Sequence, residues 1–312
     1  MTRMAHPSPA SRSSGSCFGF EIDSPLAFEY LRSGSAPRLR VTEMAAGDEP
    51  RPDVPPLLEW RQRNDKPFLA SLYESDGTFS LWIQDSGWFR VDPRAPAIEI
   101  PTTPSGPRRE NRVWGIPAAL CYMARGDQAV HAAAVDVDGS ALLLAAPGRF
   151  GKTTLAGGFL RLGHRLLSED MSCVRSGTPP EVIPGPAGLR LRRDVYESIR
   201  FPGTYPTAEE ADRVHLALDP SLRGDSRPVP LRGIVFLRRG DEEFRLTPIQ
   251  PHDALRDFWS LGLNLPTDRH RAAAFDGVVS IVNSVPVWNL TRRLKFASLD
   301  SVVSRLIETC LS

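Results

Sequence analysis

The fold of this chain is decided by the stretch Ala146-Pro147-Gly148-Arg149-Phe150-Gly151-Lys152-Thr153-Thr154. It matches the phosphate-loop pattern, in which a small residue and four spacers precede Gly-Lys-Ser/Thr; Ala146 takes the place of the usual first glycine. A loop can point successive backbone N–H groups at a phosphate only where permissive residues such as Gly148 and Gly151 stand. Lys152 would reach the outer phosphates as a point charge, and the Thr153 hydroxyl would ligate Mg²⁺. We therefore predict that Pro147 through Thr154 bind the phosphates of a nucleotide.

The residues on either side of this stretch agree with that interpretation. A phosphate loop needs a strand before it and a helix after it. Ser140 to Ala145 is typical of a short buried strand, and Thr153 to Leu162 has one apolar stripe and is followed by Gly163, a common helix stop. Only three of the 38 basic residues are lysine, and one of them is Lys152. This context disfavours the alternative of a chance match in a glycine-rich turn.

A hairpin before the loop places a histidine beside it. Asp138-Gly139 predicts a two-residue turn between two apolar runs, so that Val137 pairs with Ser140. Counting back along this register puts His131 opposite Ala146. We predict that His131 is an active-site residue; a structural histidine at a strand start is the alternative.

An acidic pair follows the loop helix. Leu166-Leu167 indicates a short strand that runs into Glu169 and Asp170. Neighbouring residues on a strand point to opposite faces, and ligands bind where parallel strands end. One carboxylate can therefore hold Mg²⁺ or its water while the other accepts a substrate proton. A solvated pair of turn carboxylates is the alternative.

Two later segments are less specific. The arginines of Gly188 to Asp194, Arg190 among them, are expected to meet phosphates or an anionic substrate, or equally to form a solvated basic face. Phe201 to Arg227 is predicted to be irregular, as a mobile segment or lid. Three N-terminal tryptophans are expected to pack in the core rather than to line a ligand cleft: Trp60, Trp82 and Trp88.

The composition limits the classes of protein to which this chain can belong. The 312 residues suffice for one large or two modest domains, and the 41% hydrophobic and 24% charged content is ordinary for a globular chain. A net charge of +1 gives no reason to expect nucleic acid or a membrane surface as a partner. No apolar run approaches the ~20 residues of a membrane span. The four cysteines fit no metal spacing and are expected to be free thiols in the cytoplasm.

The pattern also predicts the domain organisation. Residues 1–16 are expected to be a disordered tail, because they are rich in Ser, Pro and Arg and lack an apolar block. Residues 17–109 alternate apolar and polar side chains and are predicted to form a β-rich N-terminal domain. Residues 110–312, which contain the loop, are predicted to form the second domain, of the α/β class.

From about Val113 to its end, the chain resembles the HPr kinase/phosphorylase family, and more closely the lasso-peptide precursor kinases. The β-rich first hundred residues also look like the leader domain of that looser group. The residues that carry the resemblance are 131–135 (His-Ala-Ala-Ala-Val), the loop 146–154, 163–170 (Gly-His-Arg-Leu-Leu-Ser-Glu-Asp), 189–191 (Leu-Arg-Leu) and 285–290 (Val-Pro-Val-Trp-Asn-Leu).

The resemblance implies a phosphoenolpyruvate-carboxykinase-like P-loop core that transfers the γ-phosphoryl group of ATP to a hydroxyl. It implies that Glu169 is the general base, in the position of a family aspartate, and that His131 supports that acid. Asp170 and Thr153 fall at positions that bind Mg²⁺. The chain departs from the family in having glutamate at 169 and in lacking the glycine-rich signature that follows the acidic pair in true HPr kinases.

The functional hypothesis is therefore an ATP- and Mg²⁺-dependent serine kinase of a small peptide or natural-product precursor. One alternative is a kinase of a free metabolite such as an amino acid or sugar. Another is a non-catalytic regulator, in which ATP binding orders Phe201 to Arg227. A simple NTPase coupled to motion has less support, because no arginine-finger signal is present. The resemblance also suggests a homo-oligomer.

Overall fold

The computed structural model describes residues 15–34, 36–61, 69–103 and 105–311 of a mixed α/β chain. The predicted tail lies almost wholly outside these residues. Eight strands form a first sheet in the order β1-β2-β3-β8-β7-β6-β5-β4. Their bounds are β1 Ser16–Cys17, β2 Phe20–Asp23, β3 Arg38–Glu43, β4 Leu58–Arg61, β5 Leu69–Ser75, β6 Thr78–Ile83, β7 Gly87–Asp92 and β8 Ala97–Ile100.

A second and a third sheet follow. The second has the order β12-β10-β11-β18-β14-β13-β9, with β20 paired to β18 and β19 paired to β20; the third has the order β15-β17-β16. The bounds are β9 Gln128–Val130, β10 Ala132–Val137, β11 Ser140–Ala145, β12 Arg165–Ser168, β13 Ser172–Arg175, β14 Glu181–Ile183, β15 Gly188–Arg192, β16 Thr204–Glu209, β17 Arg213–Leu218, β18 Val229–Arg239, β19 Arg245–Pro248 and β20 Val287–Arg292.

The helices of the described residues connect and cover these sheets. Their bounds are α1 Gly106–Val113, α2 Ile116–Met123, α3 Lys152–Arg161, α4 Arg193–Ser198, α5 Pro220–Arg223, α6 Pro251–Leu261, α7 Asp268–Ser284 and α8 Leu299–Cys310. No helix in the described part of the chain is long and apolar enough to cross a membrane.

The predicted hairpin is confirmed, and the first sheet contains a second hairpin of the same length. Asp138 and Gly139 have φ angles of 50° and 82°, and Val137 pairs with Ser140 as the register required. Positive φ at both central residues is the signature of the two-residue turn that suits the twist of a hairpin. The first sheet contains the second hairpin, at Asp76-Gly77, where Ser75 pairs with Thr78.

Two helix boundaries differ from those that the sequence pattern predicts. The apolar stripe between residues 113 and 123 predicts one helix from about 110 to 125; the structure has two helices, α1 and α2, which separate at Trp114-Gly115. Pro117 lies in the first turn of α2, where its missing N–H costs no hydrogen bond. Ser298 precedes α8, but its hydroxyl donates to Lys295 O at 3.4 Å instead of capping the helix.

The prediction that residues 201–227 are irregular is wrong. They contain β16, β17 and α5, and β17 pairs with both β15 and β16. The alternation in β17 buries Val214 and Leu216 completely, so a third sheet gains a core. The many turn residues around β16 conceal this pattern in the sequence. A short strand, β14, likewise lies within the proline-rich segment 179–186.

The second sheet gathers several strand ends at one edge. β11 pairs in parallel with β18, and β18 pairs in parallel with β20. β12 was expected as the next parallel strand; it pairs antiparallel with β10, which is itself antiparallel to β11. β12 therefore runs in the same direction as β11, with β10 between them, and the residues after both strands meet at the same edge.

The apolar core crosses the predicted domain boundary. One buried cluster joins first-sheet residues such as Leu81 and Ile98 with α1 and α2 residues such as Val113 and Leu120. A second cluster lies between the second sheet, α3 and α8, and it includes Phe159 and Val303. The division at residues 109 and 110 remains a prediction.

Candidate active site

The loop between β11 and α3, residues 146–151, is the candidate phosphate loop. Arg149 and Gly151 have φ angles of 69° and 82°, so the chain turns through left-handed backbone directly before α3. A Cβ at Gly151 would lie 3.1 Å from Arg292 Nη2 and 3.2 Å from Leu294 Cδ2. Both the φ angle and the available space therefore demand glycine immediately before Lys152.

Lys152 lies at the centre of a polar cluster. Only 6% of the residue is exposed, and its ammonium donates to Ala146 O at 2.7 Å and to Pro147 O at 3.2 Å. The same Nζ lies 2.9 Å from His131 Nε2. Burial lowers the pKa of Lys152, and the charges of Asp170 and Glu169 oppose that decrease.

The lysine determines the tautomer of His131. An ammonium group can only donate, so Nε2 of His131 accepts and the ring proton resides on Nδ1. Nδ1 faces Asp170 Oδ1 at 3.3 Å. Burial lowers the pKa of His131, against the attraction of Asp170. The imidazole is therefore a neutral bridge between Lys152 and Asp170.

The two acids have different partners. Thr153 Oγ1 donates to Glu169 Oε1, whereas Asp170 faces His131. Burial, helped by the charge of Asp170, raises the pKa of Glu169 to about 7. The resemblance implied that His131 supports the acid at Glu169; in the structure its contact is with Asp170.

The donor set at Thr153 fits Mg²⁺. Within the described ranges, no group of three or more His, Cys, Asp and Glu side chains is placed to hold a metal by itself. Mg²⁺ commonly needs only one or two protein carboxylates, because phosphates and water complete its octahedron. The Thr153 hydroxyl and the Glu169 carboxylate, in contact with each other, are suitable oxygen ligands.

A cavity of about 1020 Å³ opens beside the cluster, and Glu169 and Asp170 line it. Its walls come from separate parts of the chain, among them Trp60 of the first sheet, Trp114 of the α1–α2 connection and Arg190 of the third sheet. Trp60 thus lines a cleft, contrary to the expectation of core packing, although it also packs against the first core cluster.

The third sheet contributes basic side chains that the sequence did not single out. Arg213 and His215 on β17 line the cavity together with Arg190. His215 Nε2 lies 2.9 Å from Glu210 Oε1, and Arg190 Nη2 lies 3.4 Å from Glu210 Oε2. Recognising the alternation of β17 would have revealed them.

Comparison with known proteins gives little further information. Neither a protein-family model nor a curated protein matches this chain. Among solved structures, the chain is similar to the HPr(Ser) kinase/phosphatase from Coxiella burnetii, with 11% sequence identity and a TM-score of 0.31. The match covers 58% of this chain and 94% of that chain. This likeness is weak and concerns the fold alone, so the function must be argued from the site itself.

Proposed function

We propose that this protein is an ATP- and Mg²⁺-dependent kinase that phosphorylates a hydroxyl group of a peptide. The observation that carries the proposal is the cluster at the sheet edge after β11. There Lys152 and Thr153 contact His131 and Glu169, and Asp170 faces His131 from the cavity. Phosphoryl transfer uses a lysine, a hydroxyl and carboxylates beside a glycine-containing loop. This cluster has all of them, and the glycine before Lys152 has a positive φ angle.

The loop and Lys152 would bind the donor. Backbone N–H groups at the start of α3 and the helix dipole favour the negative phosphates. Lys152 adds a full positive charge in a position from which bulk water is largely excluded, where electrostatic attraction is stronger than in solvent. Mg²⁺, when bound, would supply charge neutralisation on the phosphates.

The contacts favour an exchange of the roles that the resemblance implied for the two acids. Glu169, bonded to Thr153, would hold Mg²⁺ with that hydroxyl. Asp170 has a side chain that is 62% exposed and lies against the neutral His131, so it can reach an acceptor in the cavity. As the acceptor oxygen bonds to the γ-phosphorus, the bond to the β–γ bridging oxygen breaks, ADP leaves, and the hydroxyl proton passes to Asp170.

The cavity leaves room for an acceptor beside the nucleotide. Its volume of about 1020 Å³ slightly exceeds the roughly 300–1,000 Å³ typical of small-molecule sites, and Gly148 and Arg149 of the loop also line it. Arg190 and Arg213 line it and favour an acceptor that carries negative charge near its hydroxyl. In the regulator hypothesis, the ordering of residues 201–227 by ATP loses support, because these residues consist largely of paired strands.

The function is tested by Mg²⁺-dependent ATP consumption and product mass across C-terminal-serine peptides, an HPr-like protein, free serine and hydroxylated metabolites. We expect a phosphate gain on a peptide, reduced by at least about 10²-fold in Lys152→Ala. Glu308→Gln, an exposed substitution on α8, is the control and should leave the rate unchanged. Phosphorylation of a metabolite alone would favour the metabolite kinase, and ATP binding without any acceptor would favour the regulator.

The roles of the acids are tested separately. Asp170→Asn should lower kcat by about 10²- to 10⁴-fold, as expected for loss of a general base, while the Mg²⁺ concentration for half-maximal rate stays the same. Glu169→Gln should raise that Mg²⁺ concentration, because a carboxylate ligand is lost. The opposite pattern would return Glu169 to the role of base.

A further inference from the structure

Arg292, the last residue of β20, carries a buried charge, and two of its three side-chain nitrogens have no partner among the described residues. Only 3% of the residue is exposed, and its Nε and Nη2 make no hydrogen bond within the described part of the chain. Burial lowers its pKa to about 10, and no acid among the described residues offsets the decrease. A buried, unpaired guanidinium is costly, and buried polar groups in native proteins nearly always have partners. The presence of a buried arginine at this position therefore has to be explained by something other than the stability of the fold.

The position of Arg292 beside the candidate phosphate loop provides this explanation. Nη2 of Arg292 lies 3.1 Å from where a Cβ of Gly151 would stand, so the guanidinium packs directly against the candidate phosphate loop. β11, β18 and β20 are parallel, and their carboxyl ends share the edge at which ligands bind in such sheets.

Two neighbouring arginines at this edge behave differently. Arg238 donates to Asn289 Oδ1 at 3.0 Å and pairs with Asp257. Arg239 donates to Arg149 O and lies 5.2 Å from the centre of the Phe150 ring. Each has protein partners that account for its orientation. Nε and Nη2 of Arg292 have no such partner in the described ranges, although Nη2 is the nearest atom to a Cβ built on the glycine that precedes Lys152.

We infer that Arg292 is the buried cation of the nucleotide site, whose charge attracts the phosphates across Gly151. The inference rests on the proposed function, because it requires a nucleoside polyphosphate in the loop. The anionic partner that the fold does not provide is then the ligand itself. A fixed charge in a poorly hydrated position stabilises phosphates without being reorganised when they bind.

The inference predicts two changes of defined sign in Arg292→Met. The protein without nucleotide should become more stable, since replacing an unpaired buried ion by an apolar side chain of similar size removes a desolvation cost. Affinity should fall with the charge of the ligand: on the order of 10- to 100-fold for MgATP, less for ADP, and less than about twofold for adenosine. Arg292→Lys, which keeps the charge, should lie between wild type and Arg292→Met.

The experiment combines thermal denaturation of the nucleotide-free protein with calorimetric titration by MgATP, ADP and adenosine. Arg293→Met is the matched control, because Arg293 is adjacent and exposed and its side chain donates to the backbone carbonyl Asp241 O at 2.7 Å. A lower Tm in Arg292→Met, or an equal loss for all three ligands, would show a structural role and overturn the inference. Unchanged MgATP affinity would overturn it while leaving the proposed function intact. Failure of wild type to bind ATP would overturn both.

Discussion

The pH dependence of stability should reveal the titration of a buried carboxylate that is bonded to two residues of the cavity wall. Glu110 of α1 is 2% exposed. It accepts hydrogen bonds from Glu29 N at 2.7 Å, Tyr30 N at 2.9 Å and Trp114 Nε1 at 3.0 Å. These bonds join the loop after β2 to the α1–α2 connection, and both Tyr30 and Trp114 line the cavity.

Two effects on the pKa of Glu110 oppose each other. Burial penalises the charged form, whereas the three N–H donors stabilise it. Burial dominates and raises the pKa from 4.5 to about 7. Each pKa unit is worth about 1.4 kcal/mol, so ionising Glu110 in the folded protein costs about 3 kcal/mol more than in the unfolded chain.

The sign of the effect follows from proton linkage. The folded pKa lies above the unfolded one, so the folded state binds more protons between pH 4.5 and about 7. The contribution of Glu110 to stability is therefore complete below pH 4.5 and is lost as the pH rises through 7. Glu110→Gln cannot titrate and lacks this loss.

The measurement is urea denaturation of wild type and Glu110→Gln from pH 4.5 to 8. We expect the free energy of unfolding of wild type, relative to the variant, to fall by about 3 kcal/mol across this range. Glu169 also titrates there, but it is present in both proteins and cancels. Glu308→Gln should show a constant difference from wild type. If the free energy of unfolding of wild type, relative to Glu110→Gln, stays constant or rises with pH, the hydrogen bonds outweigh burial and the argument is refuted.

Three further predictions concern the scaffold of the site. Gly157→Ala in α3 would place a Cβ 2.8 Å from Phe201 Cδ1. Overpacking should outweigh the higher helix propensity of alanine, so the stability measured by thermal denaturation should fall by about 1–2 kcal/mol. A higher Tm would contradict this. Asp300→Asn removes a two-bond ion pair with Arg161 that joins α8 to α3. Because the pair is half exposed, its loss should lower the free energy of unfolding by less than about 1 kcal/mol. A loss of stability that persists in 1 M salt would contradict this electrostatic origin. Burial raises the pKa of the four thiols, those of Cys17, Cys121, Cys173 and Cys310. Alkylation of the native protein at pH 8 should therefore be slow. Rapid labelling without denaturant would contradict the buried positions of these cysteines.

Local features of the chain were predictable from the sequence because local interactions determine them. The Asp138-Gly139 turn needs only residues that tolerate positive φ, and the turn then sets the register of β10 and β11. The strand, loop and helix around Gly151 follow from hydrophobic periodicity and one permissive residue. The sequence therefore determined that His131 and Lys152 lie on adjoining segments.

Contacts between distant segments depended on tertiary packing. Which acid meets Thr153 and which meets His131 depends on how β12 ends beside β10, and no short-range pattern encodes that choice. The third sheet was concealed because it forms only through the pairing of β17 with β15 on one side and with β16 on the other.

The cavity and the isolation of Arg292 are also decided by tertiary structure alone. The cavity needs walls from the first sheet, the α1–α2 connection and the third sheet, which are far apart in the chain. Arg292 is one of many arginines in the sequence. It becomes distinctive only because three parallel strands bring it against Gly151 and no acid in the described parts of the chain lies beside it. Pattern and turn chemistry act over a few residues, whereas burial and unmet charge are properties of the packed chain.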